Sequence, residues 1–83
     1  MEQTQVAFPE LRALMARHGV NRIEMGSVIG VTYKTFSKKL QGNADFTISE
    51  MWAIKDYFAG LGSEKTIDEI FFDWKFTKVS DGR

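Results

Sequence analysis

Eighty-three residues with 43% hydrophobic and 13% aromatic content suffice for one small domain with its own core, and the absence of cysteine removes disulfides and thiolate metal sites as substitutes for it. No apolar run approaches the roughly 18 residues needed to span a bilayer, and the start MEQTQVAF lacks the basic opening and apolar core of a secretory signal, so no membrane role and a cytoplasmic location are expected. The formal net charge is zero, but residues 11–43 carry six basic side chains against Glu24 alone, whereas residues 44–73 carry seven acids against Lys55 and Lys65. A polyanion would approach the first stretch and avoid the second.

Residues 1–8 show no helical periodicity, and TQVAF reads as a short edge strand or an arm. Pro9 suits the first turn of a helix, where its missing N–H costs nothing. Leu11, Leu14, Met15 and His18 then mark an apolar face that ends at Gly19, with His18 placed to complement the helix dipole. Asn21 is an N-cap for a second helix, and Glu24 completes an approximate capping box. Met25, Val28 and Ile29 face inward, Gly30 breaks the helix and Val31 plugs the turn.

Thr32 caps a third helix over Tyr33–Leu40, whose core face is Phe36 and Leu40, and Gly42-Asn43 stops it. Thr47-Ile48-Ser49-Glu50 is a capping box for a fourth helix. It places Ile48, Met51, Trp52, Ile54, Phe58 and Ala59 mostly on one broad apolar face, with Trp52 and Phe58 assigned to the core. Gly60 and Gly62 end that helix, and Thr66 with Glu69 opens a further turn or two through Ile67, Ile70 and Phe71. In the tail, Phe72, Trp74 and Phe76 alternate with polar residues, which predicts a half-buried strand over 72–79 that pairs with the N-terminal segment or a second copy. The expected architecture is mainly α: a single domain over 1–83 with about five helices, a helix-turn-helix at 21–42 and a short C-terminal β-strand.

On a helical wheel, Phe36 and Leu40 face the core and the opposite side presents Lys34, Lys38 and Gln41, flanked by Thr35 and Ser37. Tyr33 stands at the N-terminal rim beside Thr32. Lysine donates to guanine O6 and N7, glutamine pairs with adenine, and the face holds no acid. A single helix of this girth fits a major groove about 12 Å wide.

The segment Arg22–Gly42, preceded by the first helix, resembles the λ-repressor/Cro-like helix-turn-helix domains, and within them the small Xre-type regulators of phages and Gram-positive bacteria. The phrases GVTYKTFSKKLQG and ADFTISEMWAIKDYF carry the likeness, which covers Phe8 to Phe72. The resemblance implies a λ-repressor-like bundle in which Tyr33, Lys34, Thr35, Ser37 and Lys38 reach bases. Arg22, Thr32, Lys39, Gln41 and Asn43 would contact phosphates. Three positions depart from the family pattern: Gly26 where alanine is usual, Arg22 where glutamine is frequent, and Lys39 where an apolar residue often stands.

By the same resemblance the chain is expected to be a stand-alone, phage or prophage-type regulator. It would bind an operator in double-stranded DNA as a homodimer joined through Phe72, Trp74 and Phe76, with half-sites one helical turn apart. The alternative is a protein-interaction module of the same fold, of antitoxin or antirepressor type, gripping a protein through the aromatic C-terminal segment. Enzymatic function is not expected: one histidine, no cysteine and no paired carboxylates leave little to build with. Neither a cofactor, a metal nor a small-molecule substrate is expected.

Overall fold

The computed structural model describes residues 7–72, and the expectations placed on Trp74, Phe76 and the rest of the 73–79 strand lie outside that range. Five helices follow one another: α1 (Pro9–His18), α2 (Arg22–Ile29), α3 (Tyr33–Leu40), α4 (Ile48–Gly60) and α5, a single π-helical turn (Asp68–Phe72). Phe72, expected to open a strand, instead closes α5 and packs half-buried against the core.

Local chemistry sets most of the helix boundaries. Pro9 opens α1, and Gly19, at φ 67°, closes it by donating its N–H to Ala16 and Met15 carbonyls. The residue before Pro9 is Phe8, which adopts a left-handed backbone at φ 50°. Such a conformation costs a non-glycine residue about 1–2 kcal/mol. The Phe8 ring is held in it by edge-on contacts to Phe46 and Phe71, at 5.2 and 6.1 Å between centroids. Asn21–Glu24, Thr47–Glu50 and Thr66–Glu69 are reciprocal capping boxes, each with the cap oxygen accepting the N3 amide and the glutamate accepting the cap amide.

One contiguous core joins the helices. Leu11 and Leu14 of α1, Met25 of α2, Phe36 of α3, Ile54 and Phe58 of α4, and Ile70 and Phe71 of α5 are all at zero exposure. The inward stripe of α4 is therefore centred on Ile54 and Phe58. That rotation puts Trp52, expected in the core, on the outside at 51% exposure, with Ile48 at 67%. Apolar side chains occupy more of the α4 circumference than the core covers, so packing and not pattern selects the buried set.

The α2–α3 turn depends on Gly26. Gly30, at φ 78°, supplies the left-handed corner, and the Val31 N–H returns to the Gly26 carbonyl at 2.8 Å. The chain folds back so closely that a Cβ at residue 26 would lie 2.6 Å from the Val31 carbonyl oxygen. Alanine does not fit this backbone. Gly26→Ala is therefore expected to destabilise by about 1–3 kcal/mol through overpacking, although alanine is about 1 kcal/mol the better helix former. Urea denaturation checks the sign: a variant more stable than the parent would show that the turn relaxes freely.

Candidate nucleic-acid interface

Helix α3 is held at its start by its own cap, and along its length and at its end by arginines from α2 and α1. At its start, Thr32 is the N-cap, and its Oγ1 accepts the Thr35 N–H at 3.2 Å and bonds the Thr35 hydroxyl at 3.2 Å. Midway along α3, the Arg22 guanidinium at the head of α2 donates to Ser37 Oγ at 3.0 Å. At its end, Arg12 of α1 donates through one terminal nitrogen to the Leu40 carbonyl at 3.4 Å and through Nε to the Ala7 carbonyl at 3.0 Å. A cation at that position complements the negative end of the helix dipole.

Lys39 provides the second tie. Its Nζ lies 3.0 Å from Glu50 Oε1 and donates to the Asp45 carbonyl at 2.8 Å, with the side chain only 11% exposed. Its ammonium also stands 6.0 Å from the Phe46 ring centre. Lys39, expected at a phosphate, here straps α3 to the loop and to α4. Its stem runs inward, and its charge is already committed to Glu50 and the Asp45 carbonyl.

Glu50 answers it from α4. Burial alone would raise the Glu50 carboxyl, but the Thr47 N–H and hydroxyl together with the Lys39 ammonium outweigh this and hold it below its ordinary value of 4.5. A depressed carboxylate stabilises the folded state above its unfolded pKa, and that contribution fades as pH falls through the folded value. Glu50→Gln is accordingly expected to cost about 1 kcal/mol at pH 7. The gap between variant and parent should close on acidification below about pH 4. Denaturation midpoints at the two pH values check this; a gap unchanged in acid would mean that the charge of Glu50 does no stabilising.

What remains on the outer face of α3 is a compact polar set. Tyr33 is 49% exposed, and Lys34, Lys38 and Gln41 are exposed at the spacing of successive turns, with Asn43 just beyond. Neither Lys34 nor Lys38 forms an ion pair among the described residues. Thr35 and Ser37 are half-buried, and both hydroxyls are engaged, Thr35 with Thr32 and Ser37 with Arg22. The base-contact expectation therefore divides: Tyr33, Lys34 and Lys38 are exposed, while Thr35 is tied to its own helix cap and Ser37 to Arg22 of α2. Of the expected phosphate set, Gln41 and Asn43 are exposed, Thr32 is occupied as a cap and Arg22 bridges to α3.

Two contacts are not legible in the sequence, Arg12 to Leu40 and Lys39 to Glu50. Arg12 counted only as one more charge in the basic stretch, and nothing in its spacing signals a contact to Leu40. The Lys39–Glu50 pair leaves one trace, since Glu50 is fixed in place by the Thr47 capping box.

Elsewhere, an open cleft of about 480 Å³ is lined by Arg17, His18, Gly62, Ser63, Glu64, Lys65 and Glu69. Its charges are of both signs, and Lys65 is paired with Glu10 at 3.4 Å. His18 leans its ring on Phe58 at 5.7 Å between centroids, which assigns it to packing. Among the described residues, no group of three or more His, Asp or Glu side chains is placed to hold a metal ion, and no helix is long and apolar enough to cross a membrane. Comparison with protein-family models, with curated proteins and with solved structures gives no match.

Proposed function

We propose that this chain is a sequence-specific double-stranded DNA-binding transcriptional regulator of the λ-repressor/Cro-like kind, which inserts α3 in the major groove. One observation carries the reading: the outer face of α3 is free of acid and presents Tyr33, Lys34, Lys38 and Gln41 with neither lysine in an ion pair among the described residues. Lysine and glutamine at successive turns supply donors and acceptors suited to base edges. Arg22 stands next to this face through Ser37 and supplies a charge for the flanking phosphate. The ties from Arg12 and Lys39 keep the helix rigid, so little ordering entropy is lost when it docks.

The test is selection of duplexes from a random pool by the full chain, followed by footprinting and titration at several salt concentrations. The expected result is an enriched, twofold-symmetric site with half-sites about 34 Å apart. Affinity for it should fall steeply between about 50 and 200 mM salt. A pool that emerges unenriched, or binding indifferent to salt, would remove the proposal.

A further inference from the structure

The outward side of α4 carries an apolar seam that faces solvent. Ile48 and Trp52 are 67% and 51% exposed, and Ala59 is exposed further along the same side. Ile48, Trp52, Lys55 and Ala59 recur at alternating steps of four and three, the heptad spacing by which one helix lays a seam against another. Lys55 is half-buried with its Nζ 5.7 Å from the Trp52 ring centre, and Asp56 is exposed beside it.

We propose that this seam binds a second copy of the chain, α4 against α4, antiparallel, about a twofold axis crossing between Lys55 and Asp56. That axis sets each residue opposite the one equally far on its other side. Trp52 falls opposite Ala59, so the largest side chain of the seam meets the smallest. Lys55 falls opposite Asp56, so each cation meets a carboxylate, and both contacts occur twice because the interface is isologous. Ile48 reaches Ser63, just beyond the helix. A parallel twofold pairing would instead set Lys55 against Lys55, and an antiparallel register centred on Trp52 would set Asp56 against Ile48. Charge and size complementarity therefore select both the occupant and the register.

The helix has 13 residues and is about 20 Å long, so its seam alone buries less than the roughly 1,200 Å² of a stable interface. The dimer is accordingly weak in solution and gains when two copies are held side by side. It does not depend on what α3 reads, and its test contains no DNA.

Sedimentation equilibrium of the full chain from about 10 µM to 1 mM is expected to show a monomer–dimer equilibrium. Trp52→Lys, Lys55→Glu and Asp56→Lys should each raise the dissociation constant about tenfold or more, with circular dichroism showing the fold intact. The double exchange Lys55→Glu with Asp56→Lys should return it to within about threefold of the parent, because neighbours in sequence do not face each other along one helix and the rescue has to come from across the axis. A chain monomeric throughout, a dimer that ignores these substitutions, or a double exchange without rescue would each overturn the proposal.

Discussion

Replacing Lys34 and Lys38 together by alanine should lower affinity for the selected duplex at least about thirtyfold, since each groove contact contributes about 1–3 kcal/mol. Both side chains are exposed and neither is ion-paired among the described residues, so stability should stay within about 0.5 kcal/mol of the parent. The single variants separate two roles. A lysine that reads a base relaxes sequence preference at one position when removed. A lysine that meets a phosphate weakens all duplexes alike and reduces the salt slope by about one. Fluorescence titration against the selected site and a scrambled duplex distinguishes the two. Lys39→Ala is the internal comparison: because its ammonium is bound to Glu50 and Asp45, its loss should register mainly in stability. Unchanged DNA affinity in the Lys34–Lys38 double variant would refute α3 as the reading helix.

Phe46→Ala should be among the most damaging single changes to the fold, at about 3–5 kcal/mol. Phe46 lies in the loop between α3 and α4, is 5% exposed, and is the hub of the aromatic cluster. Its ring centre lies 5.2 Å from Phe8, 5.3 Å from Phe71 and 6.0 Å from Phe36. Truncation opens a cavity bordered by α3, α5 and the start of α1 at once, and it removes the ring over which Lys39 reaches. A typical domain is stable by only about 5–15 kcal/mol, so the variant would retain a small margin. Urea midpoints measure the loss, with an unchanged m-value expected if the denatured state is unaffected. Phe46→Leu, which keeps most of the volume, should cost markedly less. A loss below about 1 kcal/mol for alanine would mean that the cluster repacks and that Phe46 is no hub.

The elements most legible in the sequence are those made by contacts three or four residues apart. The capping boxes at Asn21, Thr47 and Thr66, the glycine stop after α1 and the corner at Gly30 all follow from local hydrogen bonding and backbone freedom, and the structure contains them. The core face of α3 is equally legible, because its two apolar residues, Phe36 and Leu40, leave a single way to turn the helix. The exposed face bearing Lys34 and Lys38 follows from that same rotation.

Other features were decided by distant parts of the chain. Apolar residues surround much of α4, and only packing against the rest of the core turned Ile54 and Phe58 inward and left Ile48 and Trp52 outside. Arg12 and Lys39 read as surface charge until the fold brought Leu40, Asp45 and Glu50 within their reach. Gly26 looked exchangeable for alanine until the Val31 carbonyl closed over it. The sequence by itself determined where α1 to α4 begin and end and which side of α3 meets solvent, because those choices are settled by groups that stay neighbours in any conformation. The tertiary structure alone decided which cations remain available and which apolar face is left open, because a side chain's partners across the fold do not exist until the core has formed.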